Sequence, residues 1–193
     1  MRPVALLTDF GTRDPFAGQM RAVLHARVPG IVCFDLGHEL PPFDIRQASF
    51  FLGTSFAHCP ADCVIVCVVD PGVGTKRDIL IVQTDERTIL APDNGVVTHA
   101  LATVEHATCF LLHKRAYPEA STTFHGRDVF APLAARLALG EDVEAFAEPV
   151  DSEHIMRFDI SSPQRTRDQV QAQIQYIDRF GNCVTNLHVA EFA

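Results

Sequence analysis

Residues 4–35, VALLTDFGTRDPFAGQMRAVLHARVPGIVCFD, hold one complete strand–helix–strand passage, and its reading sets the reading of the rest of the chain. Val4–Leu7 is a short apolar run that ends in Thr8-Asp9 and a glycine turn. Asp14-Pro15 reads as an N-cap followed by proline at the first helical position. Phe16, Met20, Val23 and Leu24 recur at helical spacing until Pro29-Gly30 stops the pattern. Ile31–Phe34 then reads as a second strand ending at Asp35.

The same alternation continues outward. Ile45, Ala48, Leu52 and Phe56 mark a second helix, and Val64–Val69 is a buried strand ending at Asp70. Ile79–Val82 and Thr88–Ala91 are two further strands joined by a charged turn, followed by a strand at Ala107–Leu112. A last helix starts near Gly126, buries Phe130, Leu133, Ala134 and Leu137, and stops at Gly140. This order predicts an α/β domain over residues 1–150, with a largely parallel sheet sandwiched by helices. Ligands of such sheets bind beyond the carboxyl ends of strands, where Asp9, Asp35 and Asp70 all fall.

Beyond about residue 150 the pattern changes. Val170–Ile177 alternates polar and apolar residues as a half-exposed antiparallel strand does. Asp178-Arg179-Phe180-Gly181-Asn182 reads as a turn, and Cys183–Val189 as the returning strand of a hairpin. Two strands do not make a stable domain alone, so residues 165–193 are expected to be the start of a small, apparently truncated β domain, or to pack on a partner.

Composition narrows the function classes. A hydrophobic content of 47% over 193 residues supports a real core, yet no apolar run approaches the length that spans a bilayer. Polar residues interrupt the N-terminus too soon for a secretory signal, which leaves a cytoplasmic location as the default. The net charge of −8 with scattered basic residues lacks the electrostatic footprint of a nucleic-acid binder. The six cysteines, at 33, 59, 63, 67, 109 and 183, form no paired zinc pattern and read as reduced, mostly buried thiols.

Four clusters place a polar or ionisable group beside glycine at a strand-to-loop junction: Thr8-Asp9-Phe10-Gly11-Thr12, Asp70-Pro71-Gly72-Val73-Gly74-Thr75-Lys76-Arg77, Ala91-Pro92-Asp93-Asn94-Gly95 and Phe124-His125-Gly126-Arg127-Asp128. Glycine at such places permits close backbone approach to a ligand. Singly, each also has a structural reading: Asp9 as a helix cap, Asp93-Asn94-Gly95 as a plain turn, His125 as a surface residue before a helix. Gly72-Val73-Gly74 lacks the third glycine of a dinucleotide fingerprint, and Lys76 is not placed as in a Walker loop. No Gly-x-Ser-x-Gly elbow is present, which argues against a serine hydrolase.

Together with Pro-Pro-Phe-Asp at 41–44 and Asp-Arg-Phe-Gly-Asn at 178–182, these clusters resemble the S-adenosylmethionine hydrolases, also called S-adenosylmethionine hydroxide adenosyltransferases, relatives of the fluorinating and chlorinating enzymes. The matches run in order over nearly the whole chain. The resemblance implies that Asp9 accepts hydrogen bonds from the ribose 2′- and 3′-hydroxyls, a task that suits a two-oxygen acceptor. It implies that Asp70, Arg77 and His125 orient and activate water, that Asp178 holds the methionine ammonium, and that Asn182 reads the adenine edge. It further implies a homotrimer, with S-adenosylmethionine as substrate and neither metal nor organic cofactor.

That chemistry is self-consistent. A sulfonium leaves as a neutral thioether and needs no acid, so the demand falls on aligning, desolvating and deprotonating the nucleophile. A His–Asp pair would take the proton while Arg77 fixes the carboxylate or hydroxide. Halogenating relatives resemble Tyr-Pro-Ala-Thr-Gly-Thr where this chain has Asp70–Thr75, and Tyr-Ser-Arg where it has His125-Gly126-Arg127. Val73 and Gly126 offer no hydroxyl to a halide, which favours hydrolysis. The competing readings are a non-catalytic adenosine or S-adenosylmethionine binder, a halogenase of the same family, and a metal-dependent phosphoesterase built on Asp9, Asp35, Asp93 and His125.

Overall fold

The computed structural model describes residues 1–113, 117 and 120–187. Its contacts divide it into two compact units, Met1–Arg157 and Phe158–Ala193. The first unit is built on a seven-stranded sheet with strands β1 (Val4–Thr8), β2 (Cys33–Gly37), β3 (Val64–Val68), β4 (Ile79–Thr84), β5 (Thr88–Pro92), β6 (Ala107–Leu112) and β7 (Ala147–Val150). Their order is β2-β1-β3-β5-β4-β6-β7. The β2, β1, β3 and β5 neighbours pair in parallel, whereas β4 pairs antiparallel with β5 and β6, and β7 antiparallel with β6. The sheet is therefore mixed but mostly parallel, an α/β fold as the alternation of elements predicts.

Period-two side-chain alternation sorts the strands between two cores. Val4 and Leu6 of β1, Val64, Val66 and Val68 of β3, and Ile79 and Ile81 of β4 point into the core shared with α1 (Phe16–Arg27) and α4 (Ala131–Ala138). Ala5 and Leu7, Ile65 and Cys67, and Leu80 and Val82 point into the other, covered by α2 (Ile45–Phe56) and the short α3 (Thr98–Leu101). Strands buried on both faces read as unbroken apolar runs, which explains Val4–Leu7 and Val64–Val69 in the sequence. Cys59, Cys63, Cys67 and Cys109 are buried thiols, Cys33 is half-buried and Cys183 exposed. Burial pushes the Cys33 thiol up to about 11.

Several local expectations need correction. Pro15, not Asp14, occupies the cap position of α1, and no side-chain hydrogen bond caps that helix. Asp35 lies within β2 rather than at its end. The helix expected from Gly126 opens as a wide π-helical turn over Gly126–Phe130 before α4. Pro132 cannot donate to the carbonyl of Asp128 and its ring would crowd that oxygen in a regular helix, so a wider preceding turn accommodates it.

In the second unit, the expected single strand Val170–Ile177 is two. Val170–Gln171 (β9) pairs with Gln164–Arg165 (β8), and Ile174–Ile177 (β10) pairs with Cys183–Thr185 (β11). Asn186 marks the break by accepting from the Gln173 amide at 2.8 Å through its side chain, while its own amide donates to the Gln173 carbonyl. The β10–β11 hairpin forms, but its returning strand ends at Thr185: Asn186 and Leu187 fall outside it, and His188 and Val189 of the expected strand lie outside the described residues.

Two glycines test the packing in opposite directions. A Cβ on Gly53 of α2 would stand 2.7 Å from His99 Cβ and 3.1 Å from the His99 carbonyl carbon, whereas one on Gly18 of α1 would meet nothing within 4 Å. Gly53→Ala is expected to lower stability by about 1–3 kcal/mol through overpacking. Gly18→Ala should raise it by about 0.5–1 kcal/mol through chain entropy and helix propensity. Denaturant titration of both variants checks the signs.

Candidate active site

The ends of β1 and β3 lie side by side in the sheet, since Thr8 pairs with Val68. Asp9 and Asp70, two residues beyond those strands or closer, therefore open on the same edge. They line one cleft of about 330 Å³ together with Phe10, Phe16, Pro42, Phe43, Val73, Phe124, His125 and Gly126 among others. One wall is aromatic: Phe10, Phe16 and Phe124 meet edge to face with ring centroids 5.1–5.9 Å apart.

Asp70 and Arg77 form a buried ion pair, their side chains 4% and 10% exposed. Arg77 Nε donates to Oδ1 at 2.9 Å and to Oδ2 at 2.8 Å, and Nη2 donates to Oδ2 as well. The Gly72 amide donates to Oδ1 at 3.1 Å. The carboxylate is thereby fully engaged, and its bonds fix the direction of the guanidinium. The loop between the two residues turns through Gly74, whose φ of +75° suits glycine, and a Cβ there would stand 2.2 Å from the Thr122 carbonyl oxygen.

From Asp70 the line continues to His125. Arg77 Nη2 lies 3.0 Å from His125 Nδ1. A guanidinium only donates, so Nδ1 is the acceptor and the neutral ring carries its proton on Nε2. Burial, with Arg77 adding to it, pushes the His125 pKa below its ordinary value. The three residues anticipated from the sequence are thus joined, but not as the expected His–Asp pair: Arg77 stands between them. Arg77 also lies over the Phe130 ring, 5.5 Å from its centroid, which ties the pair to the π-helical turn that presents His125.

Asp9 sits across the cleft. Its Oδ2 accepts the Phe43 amide at 2.8 Å, and burial raises its pKa above the usual carboxylate value. Phe43 has a φ of +65°, uncommon for a large side chain, and is 65% exposed at the cleft rim. The Pro-Pro-Phe-Asp motif by itself gives Phe43 no task, since its positive φ is not encoded in any local pattern. The Arg127-Asp128 half of the His-Gly-Arg-Asp motif is engaged in contacts of its own. Arg127 chelates Asp128 at 2.6 and 3.0 Å and covers the Phe124 ring, while Asp128 also accepts the Ser121 amide.

Asp178 and Asn182 belong to the second unit and share the turn of the β10–β11 hairpin. Asp178 accepts the Phe180 and Asn182 amides at 2.9 and 2.8 Å and the Asn182 side-chain amide at 2.7 Å. The Asn182 side chain, followed by the turn's amides, holds the Asp178 carboxyl below the usual range.

The aspartates weighed for a metal centre are otherwise occupied. Asp35 pairs with Arg21 and His38, and Asp93 accepts the Met156 amide at 2.8 Å. Among the described residues no group of three or more His, Cys, Asp or Glu side chains is placed to hold a metal ion.

Known proteins resemble this chain in sequence and in fold. The family model of the SAM hydroxide adenosyltransferase N-terminal domain matches residues 4–147. The chain is 40% identical to the (R)-S-adenosyl-L-methionine hydrolase of Thermus thermophilus, over 97% of this chain and 75% of that protein. It is more distantly similar, at 22% identity, to a fluorinase of an Actinoplanes species, over 96% of this chain and 71% of that protein. Among solved structures, an uncharacterized conserved protein from Thermotoga maritima has a TM-score of 0.89 at 32% identity, covering 95% of this chain and 71% of that one. On the matched motifs, the fold and these identities, the chain belongs to the SAM hydroxide adenosyltransferase family.

Proposed function

We propose that this chain hydrolyses S-adenosylmethionine, with water attacking the ribose 5′-carbon to release adenosine and methionine. The observation that carries the reading is the unbroken hydrogen-bonded line Asp70–Arg77–His125 opening on the same cleft as Asp9. The Thermus thermophilus relative is named a hydrolase of this compound.

In this reading Asp9 accepts the ribose 2′- and 3′-hydroxyls, with its second oxygen steadied by the Phe43 amide. The aromatic wall screens the reacting carbon from bulk solvent and leaves the nucleophile one side of approach. The nucleophile lies within reach of the His125 Nε2–H and the Arg77 charge, both of which favour hydroxide over water. Water bound there gives up a proton to bulk solvent; the hydroxide forms the new C5′–O bond as the C5′–S bond breaks, whose electron pair leaves on sulfur as a neutral thioether, so the displacement calls on no metal or organic cofactor. Asp178, kept charged by its turn, holds the methionine ammonium, and Asn182 reads the adenine edge.

A halide would find no hydroxyl at Val73 or Gly126. A Cβ on Gly126 would stand 3.0–3.1 Å from the Phe124 and Phe10 rings, so a serine there would press on the aromatic wall. This supports hydrolysis over halogenation. A homotrimer in the cytoplasm completes the reading. Ile174, Ile177 and Phe180 of the second unit are exposed apolar surface that association would cover, and among the described residues no helix is long and apolar enough to cross a membrane.

Incubation with S-adenosylmethionine in labelled water is expected to yield adenosine carrying the solvent oxygen at its 5′-position, with or without halide. Mass spectrometry decides the matter, and a 5′-halogenated product or no turnover would overturn the reading. Sedimentation should give a mass three times the 21.3 kDa of the chain.

Because Asp70, Arg77 and His125 act in series, Asp70→Asn and His125→Ala should each slow kcat on the order of 100-fold, and the double variant little more. Steady-state kinetics that multiply the two losses would show independent roles.

The pH dependence has a definite sign. Protonating His125 puts an N–H against Arg77 Nη2, so kcat/KM is full above the His125 pKa and falls as pH drops through it. That midpoint lies below the ordinary imidazole value of about 6.5. His125→Asn, which keeps an acceptor for Arg77 but cannot titrate, should lose this limb in a pH–rate profile.

A further inference from the structure

Behind Asp9 runs a second hydrogen-bonded chain that the reaction does not use. His38 is buried, its side chain 5% exposed, at the end of β2. Its Nδ1 lies 2.8 Å from Thr8 Oγ1 and its Nε2 lies 3.1 Å from Asp35 Oδ1. Asp35 Oδ2 accepts Arg21 Nη1 of α1 at 2.7 Å. Thr8 Oγ1 accepts the Phe10 amide at 3.2 Å, and the His38 carbonyl accepts the Gly11 amide at 2.7 Å.

The proton positions along this chain follow from its ends. The carboxylate accepts, so Nε2 carries the ring proton; Nδ1 then accepts from the Thr8 hydroxyl, whose oxygen is left to accept the Phe10 amide. Arg21 Nη1 also stands 3.5 Å from Nε2, longer than the 3.1 Å from Nε2 to Asp35 that the ring proton serves. The hydroxyl–imidazole–carboxylate order resembles a hydrolytic triad, but the ring nitrogens are reversed and Thr8 is fully buried, so the hydroxyl is no nucleophile.

What the chain holds is the turn Thr8-Asp9-Phe10-Gly11. The amides on the C-terminal side of Asp9 are tied to the Thr8 side chain and to His38, while the Asp9 carboxylate is tied to Phe43 on the opposite lip. His38 therefore links the two loops that frame the Asp9 side of the cleft. Arg21 links both to α1, which also bears Phe16 of the aromatic wall. A carboxylate that must meet two ribose hydroxyls at once needs its direction fixed, and a local backbone held at one end only would not fix it.

We propose that Thr8, His38 and Asp35 are positioning residues that orient Asp9 for recognition of the ribose diol. The inference rests on the reading of the cleft as an S-adenosylmethionine site. Its signature is a loss of discrimination for the diol rather than a uniform loss of binding.

Calorimetric titration of the full chain with adenosine and with 2′,3′-dideoxyadenosine tests it. Wild type is expected to prefer adenosine by at least about tenfold, as hydrogen bonds to a charged acceptor imply, and Asp9→Ala to abolish the preference. Thr8→Val, which keeps the shape, and Asp35→Asn, at a half-exposed site, should each cut the preference to about threefold or less. Dideoxyadenosine binding should stay within about twofold, and KM for S-adenosylmethionine should rise with kcat nearly unchanged. His38→Gln, whose amide can accept from Thr8 and donate to Asp35, should recover much of what His38→Ala loses. Relay variants that keep the full preference, or that weaken both ligands equally, would overturn the proposal while leaving the site reading intact. A wild type that binds both nucleosides alike removes the ribose role of Asp9, and the proposal with it.

Discussion

A carboxylate and a guanidinium taken almost completely out of water constrain everything around them. Burying Asp70 and Arg77 is tolerable only if the charges meet and the remaining hydrogen-bonding capacity is filled. Arg77 and the Gly72 amide fill all of it on the carboxylate. That requirement shapes the loop from Asp70 to Arg77, with Gly74 passing close beneath the Thr122 carbonyl. It also orders the far wall, because Arg77 rests on Phe130 and donates to His125. Breaking the pair would leave a buried charge without a partner, so the site and the local fold stand or fall together.

The cleft divides its labour between two supports of different kinds. On the β3 side the pair is ionic and buried, and it presents an imidazole in one tautomer. On the β1 side Asp9 is only half-buried, and it is steadied by the Phe43 amide and a neutral relay that ends at a solvent-exposed ion pair. Under the proposed function, the ionic support suits a nucleophile that benefits from nearby positive charge. The neutral support suits a carboxylate proposed to act as acceptor, since a cation placed against it would compete with the ribose hydroxyls. Phe10, Phe16 and Phe124 join the two sides, and their close packing at Gly126 leaves little room for a side chain there.

The π-helical turn at Gly126–Phe130 illustrates how one element serves both packing and chemistry. Val129 and Phe130 enter the core on the α1 side, while His125, immediately before the turn, faces the cleft. Arg127 and Asp128 close on each other and hold the preceding loop through the Ser121 amide. A regular helix starting at the same point would meet Pro132 a turn later with no amide to offer.

The succession of β1 to β6 along the chain, the doubly buried character of β1 and β3 and the placement of Asp9 and Asp70 beyond them were legible in the sequence; the order of the strands in the sheet and the edge strand β7 were not. The legible features follow from periodicity and from residues next to one another in the chain. Motif resemblance carried Arg77, His125, Asp178 and Asn182 to their positions, because each stands in a short segment of distinctive residues. Which of these touch was not legible. That Arg77 lies between Asp70 and His125 joins residues 48 positions apart, and no local pattern encodes it. His38 carried no motif at all; it gains a role because β1 and β2 pair in parallel and bring Thr8 and His38 to the same edge. The break of the Val170–Ile177 strand likewise depends on Asn186, 13 residues beyond Gln173. Periodicity is a property of neighbours along the chain and the sequence holds it outright, whereas hydrogen-bond partnership between distant side chains exists only once the sheet has set their strands in register.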